Sequence, residues 1–263
     1  MGHEIKVSIQ VQPQHGTFEA NRKAWIEADE LGADTVFTWD HFYPLRGEPD
    51  GAHFEAYTLL GSMAEVTQQA KIGALVTSNS YRNPNLLADM SRTLDHISGG
   101  RFILGIGSGW FERDYFNYGY DFGTAASRLQ DLKRDLPIIK DRFRKLVPGP
   151  VNGHIPILIG GSGPKVTLRL TAEHADMWHA FGTPEDMARK AAILDEHCAT
   201  IGRDPNEIER SGGIHPQTLE SADEYVKNGI THLIMGVSGP DYDLGPFREL
   251  IQWRDARRKQ ATG

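Results

Sequence analysis

The sequence has a single cysteine, Cys198, among its 263 residues. An internal disulfide is therefore impossible, and the residue has no cysteine neighbour with which to form a redox pair or a metal knuckle. Disulfide frameworks are typical of small secreted domains, whereas isolated thiols are typical of reducing compartments. The cysteine content excludes a disulfide-stapled extracellular scaffold and predicts a cytoplasmic protein.

Long hydrophobic runs and an excess of basic charge are also missing. No stretch approaches the roughly 20 apolar residues that a transmembrane helix needs, and residues 1–4 lack the basic start of a signal peptide. There are 28 Lys and Arg against 35 Asp and Glu, a net charge of −7, whereas nucleic-acid binding needs a basic face. These absences predict that the partners include neither a membrane nor nucleic acid.

What the sequence does contain is a regular alternation of short apolar runs with amphipathic segments, punctuated by 28 glycines and 14 prolines. Apolar runs of about four to eight residues indicate strands, and apolar residues at a period of about 3.6 indicate helices. The predicted strands cover residues 5–11, 35–39, 72–77, 102–106, 156–159, 177–180, 208–214 and 232–235. The predicted helices cover residues 18–31, 56–66, 84–97, 125–146, 165–174, 184–201, 222–227 and 246–259.

Eight β/α units in about 250 residues are typical of a (β/α)8 TIM barrel. A doubly wound sheet usually has fewer strands and reverses its strand order at a switch point. Since no low-complexity linker separates the two halves, residues 1–263 are predicted to form one α/β domain. Pro137 lies inside the predicted fourth helix and should kink it. In a barrel the chemistry lies at the carboxyl ends of the strands, so the residues at those ends are the candidates.

Two glycine-serine turns end the fourth and fifth predicted strands, at residues 107–109 (Gly-Ser-Gly) and 160–163 (Gly-Gly-Ser-Gly). Backbone N–H groups in such turns, and at the helix start that Pro164 predicts, bind anions. The turns lack the spacing of dinucleotide-binding and P-loop motifs. They predict a phosphate cradle for a cofactor, held by backbone N–H groups rather than by a basic patch. Glycine chosen only for its positive φ is the alternative explanation.

Asp40 and His41 follow the second predicted strand, where a histidine can transfer protons near neutral pH. A capping aspartate and a packed histidine are the alternative. The first strand ends without a His-x-His metal motif, no lysine ends a strand for Schiff-base chemistry, and Cys198 lies in a predicted helix. Several aromatic residues lie near the strand ends and could line a cofactor pocket. The pattern favours a cofactor enzyme without a metal site.

Residues 81–110 carry the most specific motifs: Tyr-Arg-Asn-Pro at 81–84, Leu-Asp-His-Ile-Ser-Gly-Gly-Arg-Phe at 94–102 and Leu-Gly-Ile-Gly-Ser-Gly-Trp at 104–110. Supporting segments are Trp-Asp-His-Phe at 39–42, Ile-Gly-Gly-Ser-Gly at 159–163 and Leu-Ile-Met-Gly-Val-Ser-Gly at 233–239. With these motifs the chain resembles the bacterial-luciferase-like superfamily, and within it the coenzyme F420-dependent oxidoreductases. The resemblance covers nearly the whole chain.

The resemblance implies an oxidoreductase that transfers a hydride between C5 of a deazaflavin and a small organic substrate. The ring would lie at the barrel mouth against the third strand, where relatives carry a non-prolyl cis peptide that maps onto Leu75-Val76. His41 would be the catalytic residue, beside the reacting carbon. The cofactor-binding residues implied near the ring are Asp40, Leu75, Val76 and Ser78, and those implied near the phosphate are Ser108, Gly109, Gly160, Gly161, Ser162 and Gly163.

Two departures from the family pattern leave alternatives open. Sugar-phosphate dehydrogenases of this family place a catalytic Glu where this chain has Trp110, and Glu112 is the nearest acid. The segment before the fifth strand, residues 147–154, is shorter than the insertion that relatives often carry. The alternatives are an FMN-dependent luciferase-like monooxygenase and a non-catalytic deazaflavin- or flavin-binding protein. The expected partners are a small-molecule substrate, a second copy of the chain in a homodimer, and a separate F420 or flavin reductase.

Overall fold

The computed structural model describes residues 3–262. Its strands are β1 (Lys6–Gln12), β2 (Thr35–Thr38), β3 (Lys71–Ala74), β4 (Thr77–Ser78), β5 (Phe102–Gly107), β6 (Ile157–Gly160), β7 (Met177–Ala180), β8 (Glu209–Ile214) and β9 (His232–Ser238). Its α-helices are α1 (Phe18–Glu30), α2 (Ala56–Val66), α3 (Pro84–Ile97), α4 (Glu112–Tyr118), α5 (Ala125–Lys145), α6 (Thr167–His174), α7 (Pro184–Thr200), α8 (Ala222–Lys227) and α9 (Gly245–Thr262). None of these helices is long and apolar enough to cross a membrane.

The strands form one parallel sheet that closes on itself. The order runs β3-β2-β1-β9-β8-β7-β6-β5-β4, and β3 also pairs with β5. β3 and β4 are two parts of one barrel strand, separated by Leu75 and Val76, and both pair with β5. The barrel therefore has eight strands surrounded by helices, which confirms the predicted (β/α)8 barrel.

Apolar residues alternate between the two faces of this sheet. One cluster of buried side chains fills the barrel interior, and the residues next to them in sequence pack outward into the larger core against the helices. This alternation is the period of two expected for strands with both faces buried. The interior cluster consists of Phe37, Leu75, Ile103, Leu158, Met177 and Ile234.

The helix predicted at residues 125–146 is confirmed as α5, which contains Pro137 and buries its apolar face, including Leu132 and Ile139, in the core. Other elements differ from those predicted. The helix predicted from residue 165 begins at Thr167, after a turn. Helix α4 was not predicted, although an acidic first turn and left-handed Gly119 at its end are both typical of helix boundaries. Residues 146–156, before β6, contain neither helix nor strand.

A polar network joins the first residues of three strands at the amino end of the barrel. His232 Nδ1 lies 2.6 Å from Glu209 Oε1 and its Nε2 lies 2.6 Å from Ser8 Oγ. The Lys6 ammonium donates to Glu209 Oε2 over 2.5 Å. Burial raises the pKa of the Glu209 carboxyl, but His232 and Lys6 outweigh burial and lower that pKa from 4.5 to about 2. The ionised carboxylate therefore stabilises the closure between β1, β8 and β9.

The substitution Glu209→Gln should make this stabilisation measurable. Because the folded-state pKa lies below the unfolded one, the carboxylate stabilises the fold above about pH 4.5 and loses its effect as the pH falls towards 2. We expect the variant to lose about 2–3 kcal/mol of unfolding free energy at pH 7, with the gap to wild type narrowing at pH 3 in urea titrations. Glu207→Gln, which removes an exposed ion pair with Arg203, is the control and should change stability by less than about 0.5 kcal/mol. A loss for Glu209→Gln that is the same at both pH values would contradict the prediction.

Candidate functional site

The third barrel strand breaks at its carboxyl end. The Leu75-Val76 peptide is cis, as the family resemblance predicts, and the Gln10 amide donates to the Leu75 carbonyl over 2.6 Å. The side chain of Val76 lies over one glycine of β5, the adjacent strand, and one glycine of β6, the next strand along. A Cβ atom on Gly107 or on Gly160 would come within 2.9 Å of a Val76 methyl group. These glycines therefore leave the space that the interrupted strand occupies.

Asp40 lies beneath this break and is almost fully buried. Its carboxylate accepts two hydrogen bonds from the Arg82 guanidinium, over 2.6 and 3.0 Å, and one from the Ser78 backbone N–H over 3.0 Å. Burial lowers the pKa of Arg82, but the charge of Asp40 outweighs it and raises that pKa. Arg82 also pairs with Glu55 over 2.8 Å. Asp40 thus fixes the backbone at Ser78, and contact between Asp40 and a cofactor ring stays a prediction.

His41 is held by a carboxylate from helix α4. Its Nδ1 lies 2.8 Å from Asp114 Oδ2, and Asp114 is fully buried. The same carboxylate accepts hydrogen bonds from the Tyr81 hydroxyl over 2.9 Å and from the Phe42 backbone N–H over 3.1 Å. Burial, and then the charge of Asp114, raise the pKa of the Tyr81 hydroxyl, so it remains a donor. With Nδ1 engaged, Nε2 is the ring atom of His41 left for proton transfer.

The acid that supports His41 is Asp114 and not Glu112. Glu112, the acid nearest to Trp110, is exposed, whereas Asp114 on the same helix is buried. Residues two apart on a helix point in different directions, so α4 turns one acid to solvent and the other to His41. Predicting α4 as a helix would have been the signal that distinguishes them.

Aromatic side chains surround the His41 ring. Its centroid lies 5.8 Å from that of Trp39, 5.7 Å from Trp110 and 5.4 Å from Phe111, all in edge-to-face geometry. The Trp39 indole donates to His53 Nε2 over 2.9 Å. Burial, and then the charge of His41, lower the pKa of His53 to about 4, so His53 is a neutral acceptor at neutral pH. The predicted aromatic lining is therefore present around the candidate proton-transfer group.

The turn after β5 has backbone donors that the protein leaves available. Gly109 has a φ of +80°, and a Cβ atom there would lie 1.9 Å from the Tyr115 hydroxyl oxygen and 2.6 Å from Ser78 Oγ. Only glycine fits this position. Among residues 3–262, no acceptor takes the backbone N–H groups of Ser108, Gly109 and Trp110. Consecutive backbone N–H groups without a protein acceptor are available to bind an anion.

The turn after β6 is only partly available. The Gly161 N–H donates to the His179 carbonyl over 2.9 Å, which corrects the expectation that this group faces a phosphate. Its carbonyl accepts from the Trp178 indole over 2.7 Å. Within the described part of the chain, the N–H groups of Ser162 and Gly163 have no acceptor. In the turn after β6, Ser162 and Gly163 are therefore the residues whose N–H groups are available to an anion.

The structure brings most of the predicted positions into one region. The side chain of Val76 lies against the backbone of Gly107 and Gly160. Gly109 lies against the side chains of Ser78 and Tyr115. Tyr115 follows Asp114 in sequence and packs edge-on against Tyr81, with ring centroids 5.3 Å apart. The interrupted strand, the first glycine turn and the His41-Asp114 pair are consequently neighbours at the carboxyl end of the barrel.

Known proteins with similar sequences or structures include F420-dependent enzymes. The chain is 33% identical over 122 residues to the F420-dependent glucose-6-phosphate dehydrogenase of Amycolatopsis mediterranei, a match that covers 46% of this chain and 32% of that protein. Matches to curated relatives span 32 to 64% of those proteins' lengths. An F420-dependent secondary alcohol dehydrogenase, solved with an F420-acetone adduct, superimposes with a TM-score of 0.85 at 15% identity, over 95% of this chain and 99% of that one.

A second solved structure is the oxygenating constituent of 3,6-diketocamphane monooxygenase of Pseudomonas putida, in complex with FMN. It superimposes with a TM-score of 0.73 at 12% identity, over 95% of this chain and 96% of that one. The likeness to both structures shows a shared barrel. The family model for luciferase-like monooxygenases matches residues 2–262, and the chain therefore belongs to the luciferase-like monooxygenase family.

Proposed function

We propose that this protein is a coenzyme F420-dependent oxidoreductase that transfers a hydride between C5 of the deazaflavin and a small organic substrate. The observation that carries the proposal is the buried His41-Asp114 pair beside a turn whose N–H groups the protein leaves without acceptors. Such a pair can hold and move a proton, and such a turn can hold a phosphate.

The residues present fit a phosphate-bearing ring cofactor. Ser108, Gly109, Ser162 and Gly163 offer N–H groups to the phosphate, and the glycine at position 109 lets the backbone approach closely. Backbone donors suit a chain whose net charge is −7, because they bind an anion without adding basic side chains. Val76 and the aromatic residues around His41 supply apolar surface for a flat ring.

When bound, the deazaflavin would supply or accept the hydride. Reduction of a carbonyl also requires a proton on the carbonyl oxygen, and oxidation of the alcohol requires its removal. Asp114 accepts a hydrogen bond from His41 Nδ1–H and so leaves Nε2 as the atom that gives or takes this proton. Tyr81 and the Phe42 N–H hold the carboxylate in place, so the imidazole is oriented before a substrate arrives.

An FMN-dependent monooxygenase is the second candidate, because an FMN-bound monooxygenase shares the barrel and because the same N–H groups would hold an FMN phosphate. The wider setting that we propose is the cytoplasm, with a homodimeric enzyme and a separate reductase that renews the reduced cofactor. Cys198, buried in α7, is compatible with a reducing compartment.

Fluorescence titration of the purified protein with F420 and with FMN tests the choice of cofactor. We expect F420 to bind at least about tenfold more tightly than FMN, a difference of about 1.4 kcal/mol. Tight FMN binding without F420 binding would overturn the proposal and favour the monooxygenase. If F420 binds but its reduced form is not oxidised by a panel of ketones, enones and imines in stopped-flow experiments, the protein is a carrier.

Asp114→Asn should separate proton transfer from cofactor binding. The amide cannot stabilise the imidazolium, so turnover with reduced F420 and a reactive ketone should fall by about 10²–10³-fold, the usual contribution of a general acid or base. The Kd for F420 should change by less than twofold, and His41→Ala should behave in the same way. Glu112→Gln, on the exposed side of the same helix, is the matched control and should retain full activity. A loss of F420 affinity equal to the loss of turnover would make His41 and Asp114 binding residues instead.

A further inference from the structure

Arg128, in the first turn of α5, is a buried cation that lacks a carboxylate partner. Its exposed fraction is 8%. Nε donates to the Gly109 carbonyl over 3.1 Å and Nη1 donates to the Phe122 carbonyl over 2.7 Å. The guanidinium lies 4.0 Å from the centroid of the Phe122 ring and 5.9 Å from that of Tyr115. No carboxylate among residues 3–262 forms an ion pair with it.

This environment sets Arg128 apart from the arginines near it. Arg82 pairs with Asp40 and Glu55, and Arg134, an exposed residue further along α5, pairs with Asp131 and with the buried Asp135. Buried charges are normally paired, because removing an ion from water is costly. Carbonyl dipoles and an aromatic face compensate part of that cost for Arg128. The positive charge has no ion-pair partner in the described part of the chain.

The hydrogen bond from Arg128 Nε to the Gly109 carbonyl connects the guanidinium to the turn after β5. The Gly109 carbonyl and the Trp110 N–H belong to the same peptide group, and they point in opposite directions. A donor on the carbonyl oxygen fixes the plane of that peptide and draws electron density away from its N–H. The Trp110 N–H, like those of Ser108 and Gly109, has no acceptor in the described part of the chain. Arg128 thus lies on the carbonyl side of this peptide, and the Trp110 N–H faces away from it.

We propose that Arg128 is a positioning residue for the phosphate group of the bound ring cofactor. It orients and polarises the Gly109-Trp110 peptide through its hydrogen bond to the Gly109 carbonyl, and its positive charge, which has no ion-pair partner among residues 3–262, raises the potential at the turn. It does this without touching the phosphate. The identity of the phosphate as a cofactor's rests on the proposed function, whereas the presence of an anion site at residues 108–110 rests on the geometry alone.

Two variants, Arg128→Met and Arg128→Lys, test this role through paired ligands that differ in the phosphate. The pairs are F420 against the same deazaflavin with only its ribityl chain, and FMN against riboflavin. For Arg128→Met we expect about 10- to 30-fold weaker binding of the phosphate-bearing member, as for the loss of a charge-assisted hydrogen bond. The affinity for the phosphate-free member should change by less than twofold.

Arg128→Lys keeps the charge but cannot make both hydrogen bonds, so its loss of affinity for the phosphate-bearing member should be smaller. Arg144→Met is the control, since Arg144 lies on the same helix in an exposed ion pair with Asp141, and both members should bind as in wild type.

Inorganic phosphate provides an arm that does not depend on the cofactor. In the wild type, phosphate should shift the amide resonances of residues 108–110, and in Arg128→Met these shifts should require about tenfold more phosphate. If neither F420 nor FMN binds to the wild type while phosphate still shifts these resonances, the proposed function fails and the anion site stands. Equal weakening of the two members of a pair would reduce Arg128 to a packing residue. Unchanged affinity for phosphate and for both cofactors, in variants with wild-type thermal unfolding, would overturn the inference.

Discussion

The Asp114 carboxylate is the constraint on which the mouth of the barrel depends. It is fully buried, and a buried charge persists only where donors surround it. Those donors come from different parts of the chain: His41 and Phe42 after β2, and Tyr81 after the third barrel strand. One carboxylate therefore ties α4 to two strand ends and, in the same contacts, orients the imidazole. The same hydrogen bonds thus support both the loops and the position of the proton-transfer group.

The barrel was predictable from sequence because its signal is distributed over the whole chain. Each strand contributes an apolar run and each helix an apolar face, so errors at single boundaries leave the count of eight units intact. Local features without a period were not predictable in this way. Helix α4 has only seven residues, too few to show a helical period, and with it Asp114 was missed. By contrast, α5 was predicted despite Pro137, because its apolar face extends on both sides of the proline.

The break in the third barrel strand had no periodic signal either. Residues 72–77 are predicted as one strand, and only the likeness to a family indicated the cis peptide at Leu75-Val76. The sequence indicated that both glycine turns have a structural or functional requirement for glycine, but the requirement differs from one glycine to the next. Gly107 and Gly160 leave room for Val76, and Gly109 leaves room for Tyr115. The N–H of Gly161 donates a hydrogen bond to the His179 carbonyl in β7. Sequence alone cannot distinguish a glycine required by a neighbour from one required by a ligand.

The contact between Val76 and the two glycines beneath it links the substitutions that these three positions tolerate. An alanine at Gly107 or at Gly160 meets a Val76 methyl group at 2.9 Å, whereas the same alanine beside a smaller residue at position 76 would have space. A larger side chain in one strand thus becomes acceptable only after a smaller one appears in another. Across descendants of this sequence, positions 76, 107 and 160 are therefore expected to be epistatic, and the order in which they change determines which paths remain open.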